Sequence, residues 1–241
     1  MSIDYSPRPT IQGSLTVRTT ADRGDYLAAF RLLQSRYRDA GLSQTEATGL
    51  RILPFQLWET TQLIVAKANN RVVGCVSVVQ DSDARGLPME HLYPGELRDL
   101  RRRRAALGEI TSLAIRRHES PFDNTIFQEL AGSLVAYARR TGIRFLTAVV
   151  HPRHAQLYQR CLGFEIIGGL RRCHHVDGNP GVAIMGDLLA PGRIRARWRR
   201  IYFSSDPADA RLSHRPMPGD TYHFLRAFMT TEHVRRGQML G

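Results

Sequence analysis

Val149-Val150-His151-Pro152-Arg153-His154-Ala155-Gln156-Leu157-Tyr158-Gln159-Arg160-Cys161-Leu162-Gly163-Phe164 is the stretch on which the fold turns. A β-rich run at 145–150 gives way to a short helix at 154–162, and a strand resumes at 164–167. His154 and Tyr158 stand four apart, so they share one face of that helix. Upstream, Phe127, Leu130, Leu134 and Ala138 mark a helix that stops at Gly142, and 109–115 reads as a strand. Residues 63–66 and 72–79 are two more strands, joined through Asn69-Asn70, whose tolerance of positive φ suits a tight hairpin turn. Further back, Tyr26, Phe30, Leu33 and Tyr37 recur at helical spacing until Gly41, after a short strand at 15–17. Residues 87–104 read as a loop with a short helix, and 182–189 as the last strand. The order β-α-β-β-β-α-β-α-β-β predicts an α/β (α+β) fold, a mixed sheet with helices on both faces. Residues 1–14 are expected to be a loose lead-in, 15–190 one domain, and 191–241 a basic helical extension.

Composition narrows the class. The chain has 241 residues, 42% hydrophobic and 23% charged, which is ordinary globular usage. Met1-Ser2-Ile3-Asp4 shows neither a basic nor an apolar leader region, and no apolar run approaches a membrane span. Cys75, Cys161 and Cys173 are odd in number and widely spaced, so reduced thiols in a cytoplasmic protein are expected. The net charge is +12, and Lys67 is the one lysine among 34 basic residues. Such a field attracts polyanions, whether nucleic acid, anionic headgroups or an acidic carrier protein. Half of the net charge lies in 193–241, where ten arginines face four acids. There the 193–203 segment, with Trp198 and Ile201 among arginines, has two readings: a helix on a membrane surface at the inner face, or one packed on the sheet.

Two segments carry a family likeness. One is 149–164, with Tyr158 five residues before Gly163-Phe164. The other is Val78-Val79-Gln80-Asp81-Ser82-Asp83-Ala84-Arg85-Gly86-Leu87-Pro88-Met89, followed by Glu96 to Arg101 and by Gly108-Glu109-Ile110-Thr111-Ser112-Leu113-Ala114-Ile115. Together they resemble the N-acyl amino acid synthases, GNAT-type acyltransferases related to the acyl-homoserine-lactone synthases. The resemblance implies a GNAT fold, a mixed and mostly antiparallel sheet flanked by helices. It also implies transfer of a long-chain acyl group to the α-amine of an amino acid. Acetyl-CoA enzymes of this fold hold pyrophosphate on a glycine-rich loop at a helix N-terminus. Here that stretch, 115–124, has no glycine, and Glu119 and Asp123 would repel phosphate. An acyl carrier protein is therefore the expected donor, without further cofactor, and acyl-CoA is the alternative.

The resemblance assigns roles residue by residue. Glu109 would accept the amine proton, Tyr158 would protonate the leaving thiol, and His154 would act as a second base or bind the substrate carboxylate. Backbone amides at Leu113 and Ala114 would hold the oxyanion. Arg36, Tyr37 and Arg153 fall where substrate is contacted, and Arg101, Arg102, Arg103, Arg104, Arg116 and Arg117 are candidates for docking an acidic carrier. His151 departs from the family's asparagine and is expected to be structural. Cys75 and Cys161 read as packing thiols. Cys173-His174-His175 alternates in direction if it is a strand, and no second ligand pair accompanies it, so no metal site is expected. A CoA-dependent N-acetyltransferase and a non-catalytic, nucleic-acid-binding module of the same fold are the rivals, the second disfavoured by dispersed arginines and the lack of a nucleic-acid-binding signature.

Overall fold

In the computed structural model, which describes residues 15–44, 46–116 and 123–238, the asparagine hairpin forms as its chemistry dictates. Asn69 and Asn70 both take left-handed backbone, at φ 48° and 62°, and join β2 (Thr61–Ala68) to β3 (Arg71–Gln80). Around this hairpin lie β1 (Thr16–Thr19), α1 (Arg23–Asp39), α2 (Pro94–Arg101), β4 (Leu107–Ile115) and α3 (Asp123–Arg140). They are followed by β5 (Phe145–Val150), α4 (Pro152–Leu162), β6 (Glu165–Cys173), β7 (Asn179–Asp187), α5 (Ala196–Tyr202) and α6 (Gly219–Gln238). The seven strands form one sheet in the order β1-β2-β3-β4-β5-β7-β6. Every pairing is antiparallel except β4 with β5.

That parallel pair is the feature that positions the site. It is registered only by Leu107 with Phe145, Gly108 with Leu146 and Glu109 with Thr147. Beyond Glu109 the ladder stops, and the C-terminal ends of the two strands leave a gap. In β4 a bulge follows at once: Thr111 faces Ser77 and Ala114 faces Cys75, so Ser112 and Leu113 share the one position opposite Val76. Ser112 takes φ 56°, unusual for a residue with a side chain. The bulge resets which way the strand's side chains point. Ile110, Leu113 and Ile115 all pack on the face covered by α3 and α4, whereas Leu107 and Ala114 face the other side. An unbroken strand would place Ile110 and Leu113 on opposite faces.

Each face has its own cover. Leu130, Leu134 and Ala138 of α3, the residues whose spacing marked the helix, pack on Ile64, Val76 and Leu146. On the opposite face Tyr26, Phe30 and Leu33 of α1 meet Val65 and Cys75, joined by Leu225 of α6. Helix α1 is fixed to the sheet by Asp25, buried and ion-paired to Lys67 at 2.8 Å and Arg18 at 2.6 Å. The lone lysine is thus a structural cation.

Several expectations change. Strand β6 runs to Cys173 rather than ending near Ile167, because two register shifts absorb the glycines that break the apolar pattern. Gly168 is required there: a Cβ would sit 2.5 Å from the Tyr93 ring. His174 and His175 leave the strand and begin a 3-10 turn, so the alternation expected of them does not apply. The 193–203 segment has its apolar side occupied. Ile194 and Tyr202 are buried, and Trp198 lies edge-on to Phe127 of α3 at 5.6 Å. Of the two readings of this segment, packing on the domain is the one these contacts supply. Among the described residues no helix is long and apolar enough to cross a membrane. The 1–14 lead-in, the loop segment 117–122 with Arg117, and the side chain of Cys161 lie outside the described residues.

Candidate active site

Glu109 is the last residue of β4 paired to β5, and it is 4% exposed. Burial pushes its carboxyl up to about 8, opposed only by the backbone N–H of Met89, which donates to Oε2 at 2.7 Å. That donor is delivered by the 81–91 segment. Arg101 grips Asp81 through Nε and Nη2 at 2.9 and 2.8 Å, and Glu90 through Nη1 and Nη2 at 2.6 and 2.7 Å. Gly86, at φ 64°, lets Glu90 lie against the backbone; a Cβ would meet Glu90 Oε2 at 2.2 Å. The Asp-Ser…Gly-Leu-Pro motif is therefore a strap that lays one amide on Glu109.

Glu109 lines a cavity of about 90 Å³ together with Tyr37, Phe55, His91, Cys173 and His175. At roughly 30 Å³ per water in the liquid, the cavity has room for about three waters, the scale of a very small molecule. Arg51 also lines it, almost fully buried. Its guanidinium lies over the Tyr37 ring at 4.6 Å and donates to the His175 carbonyl. Thr111, on the same wall, buries its hydroxyl without a hydrogen-bond partner among the described residues.

The cavity adjoins the gap between β4 and β5, a cleft of about 560 Å³. Tyr37, Ile110, Thr111, Ser112, Val149 and Cys173 line both. Leu113 and Ala114 form the cleft wall after the bulge, and His154 and Tyr158 of α4 form the other side. Arg36, Arg116 and Arg153 also line this cleft. His151 caps α4, its Nδ1 accepting from the Arg153 amide at 3.3 Å, in line with the structural role expected of it. Burial, with Arg153 and His151 adding to it, holds His154 below the usual histidine range and hence neutral at pH 7. Tyr158 stands edge-on to Phe164 at 5.4 Å, and burial raises its hydroxyl. Behind Tyr158 lies a third space of about 50 Å³, walled by Leu130, Ala131, Leu134, Leu162, Phe164 and Ile194 among others. Ile110, Leu113 and Tyr158 line both this apolar space and the cleft.

Of the residues read from sequence, Glu109, Leu113, Ala114, His154, Tyr158, Arg36, Tyr37, Arg116 and Arg153 converge on these joined spaces. Arg101 to Arg104 do not. They precede β4, and Arg103 lies over the ring of Phe145 at the start of β5, which is the paired end of the two strands. Arg101 is consumed by Asp81 and Glu90, and Arg102 by Asp99. Arg102, Arg103 and Arg104 are exposed but outside the cleft lining. Arg51, His91, His175 and Gln56 were missed. Gln56 donates to Ser112 Oγ at 2.7 Å and so pins the bulge from beneath. Cys75, buried with its thiol pushed up to about 12, is a packing residue as expected. Among the described residues no group of three His, Cys, Asp or Glu is placed to hold a metal ion.

The sequence model of the N-acyl amino acid synthase FeeM matches residues 28–187, which contain β2 to β7 and every converging residue. The chain belongs to the N-acyl amino acid synthase FeeM family. It is accordingly an acyltransferase of GNAT-like fold. Solved structures agree on the fold. FeeM, an N-acyl amino acid synthase from uncultured soil microbes, superposes with TM-score 0.68 at 22% identity, covering 77% of this chain and 97% of that one. The acyl-homoserine-lactone synthase LasI gives 0.58 at 13% identity, over 81% and 96%. BjaI, a CoA-dependent acyl-homoserine-lactone synthase solved with SAM and isopentyl-CoA, gives 0.56 at 13%, over 89% and 99%. No curated protein matches the chain in sequence. Helices α5 and α6 lie beyond the segment that the FeeM family model covers.

Proposed function

We propose that this FeeM-family chain transfers a long-chain acyl group from an acyl carrier thioester to the α-amine of an amino acid. The observation that carries this reading is the buried Glu109, its carboxyl raised by burial, in a small cavity that opens onto the gap between β4 and β5. The thioester lies in the gap with its carbonyl at the bulge, where backbone amides at Leu113 and Ala114 receive the oxyanion. The acyl tail is directed toward the apolar space behind Tyr158. Ionised Glu109 takes a proton from the acceptor's ammonium; the freed amine attacks the carbonyl, a C–N bond forms and the C–S bond breaks. Tyr158 gives its proton to the departing thiolate and is reprotonated from solvent. His154, neutral on the same helix face, serves as a second base toward solvent. The products are an N-acyl amino acid and the free thiol carrier.

Arg36, Arg116 and Arg153 at the cleft favour an acidic carrier of cytoplasmic type over a neutral donor. The test offers matched acyl chains on carrier protein and on CoA, with a panel of amino acids, and follows thiol release and amide mass. Amide formation from the carrier thioester, at least tenfold faster than from CoA, is expected. Faster reaction with CoA reassigns the donor; thiol release without amide overturns the proposal.

A further inference from the structure

The buried guanidinium at Arg51 calls for explanation. Arginine carries five N–H donors and cannot shed its charge. At 6% exposure it is cut off from most water, yet among the described residues its one hydrogen bond is to a peptide carbonyl, that of His175. No carboxylate among them reaches ion-pair distance; Glu46 and Asp177 act only from farther off. A buried cation without a counter-ion is costly. Burial accordingly lowers its proton affinity. Arg51 lines the Glu109 cavity, whose wall also holds the unpartnered hydroxyl of Thr111. Arg51 and Glu109 are not paired with each other, and Cys173 lies within electrostatic reach of both. The Tyr37 ring beneath the guanidinium fixes its plane. The site thus sets a buried base and a planar cation on the wall of one small cavity.

We infer that Arg51 seats the α-carboxylate of the acceptor, so that this enzyme accepts amino acids and rejects amines lacking a carboxylate. The inference rests on the acyltransfer reading and makes it more specific: the ammonium lies at Glu109 and the carboxylate on the Arg51 fork, which it meets with two parallel hydrogen bonds. Arg36 and Arg153, which line the outer cleft rather than this cavity, are left for the donor.

Calorimetry on the full chain tests it without turnover, with N-dodecanoyl-alanine and N-dodecanoyl-alaninamide as probes. The acid is expected to bind about 100-fold more tightly than the amide, the scale of hydrogen bonds to a charged group. Arg51→Met should erase that preference by weakening the acid alone, and Arg51→Lys, which keeps the charge and guards against misfolding, should recover part of it. Equal binding of acid and amide by the wild type would overturn the assignment. So would equal weakening of both probes in Arg51→Met, the mark of a merely structural arginine. Acid-selective binding without any acyl transfer would leave Arg51 standing and sink the transferase step. Transfer to alaninamide as fast as to alanine would do the reverse.

Discussion

The two spaces on either side of the β4 bulge are built on opposite principles. The Glu109 cavity brings together a buried carboxyl, a buried guanidinium and an unpartnered hydroxyl, with His91 and His175 at its edge. The space behind Tyr158 is walled almost entirely by hydrocarbon from α3, α4 and α5. The first holds strain in the form of charges kept from water, and the second holds almost none. The proposed reaction, which joins a zwitterion to a lipid tail, uses both. On the proposed reading Thr111 serves the acceptor and Leu113 the tail, while Ile110 lines both spaces.

The largest effect should come from breaking the charged side. Glu109→Gln is expected to lower kcat/KM by about 10²–10⁴-fold. In the wild type the rate should rise with pH and level off above about 8, as the carboxyl ionises. The stability sign runs the other way. A carboxyl whose folded value lies above its unfolded 4.5 binds more protons when folded, so its stabilising contribution is full below 4.5 and is lost as pH climbs toward 8. Glu109→Gln should therefore raise Tm at pH 8.5 more than at pH 5, and a Tm gain independent of pH would contradict the buried-carboxylate account. Next, Tyr158→Phe should cost about 100-fold in kcat with little change in acceptor KM, most strongly for donors with poor leaving thiols. A KM effect alone would make Tyr158 a wall rather than an acid.

On the apolar side, Ala131→Leu fills space with about three methylene-sized groups and should cut reactivity with the longest acyl donors about tenfold while sparing short ones. Its pH profile should match the wild type, and Glu109→Gln should keep the wild-type order of chain lengths; crossed effects would dissolve the division. The smallest change is expected at the seam. Gln56→Ala removes the donor to Ser112 Oγ and should lower stability by about 1–2 kcal/mol, with a several-fold loss of kcat for every donor.

How much of this was legible depended on what kind of physics placed each residue. Local chemistry was readable: the asparagine turn, the α3 stripe and the α4 face carrying His154 and Tyr158 sit where their spacing put them. The bulge was not, because Ile110-Thr111-Ser112-Leu113 has no glycine or other outward sign of an extra residue. Gln56 is its support and was invisible for the same reason. The place of Arg101 to Arg104 away from the cleft lining was not legible, because a charge run does not reveal which end of a strand it will occupy. Arg51 had a signal that went unused. It interrupts the apolar run Leu50, Ile52, Leu53, and a lone arginine among buried neighbours needs either a partner or a ligand.

The single residue of slip at Ser112 has a further effect on how this scaffold changes over generations. Because it turns Leu113 to the apolar space and leaves Thr111 on the polar cavity, a substitution at either acts on one chamber, whereas Ile110 touches both. Descendants of this chain are free to drift toward new tails or new head groups one at a time.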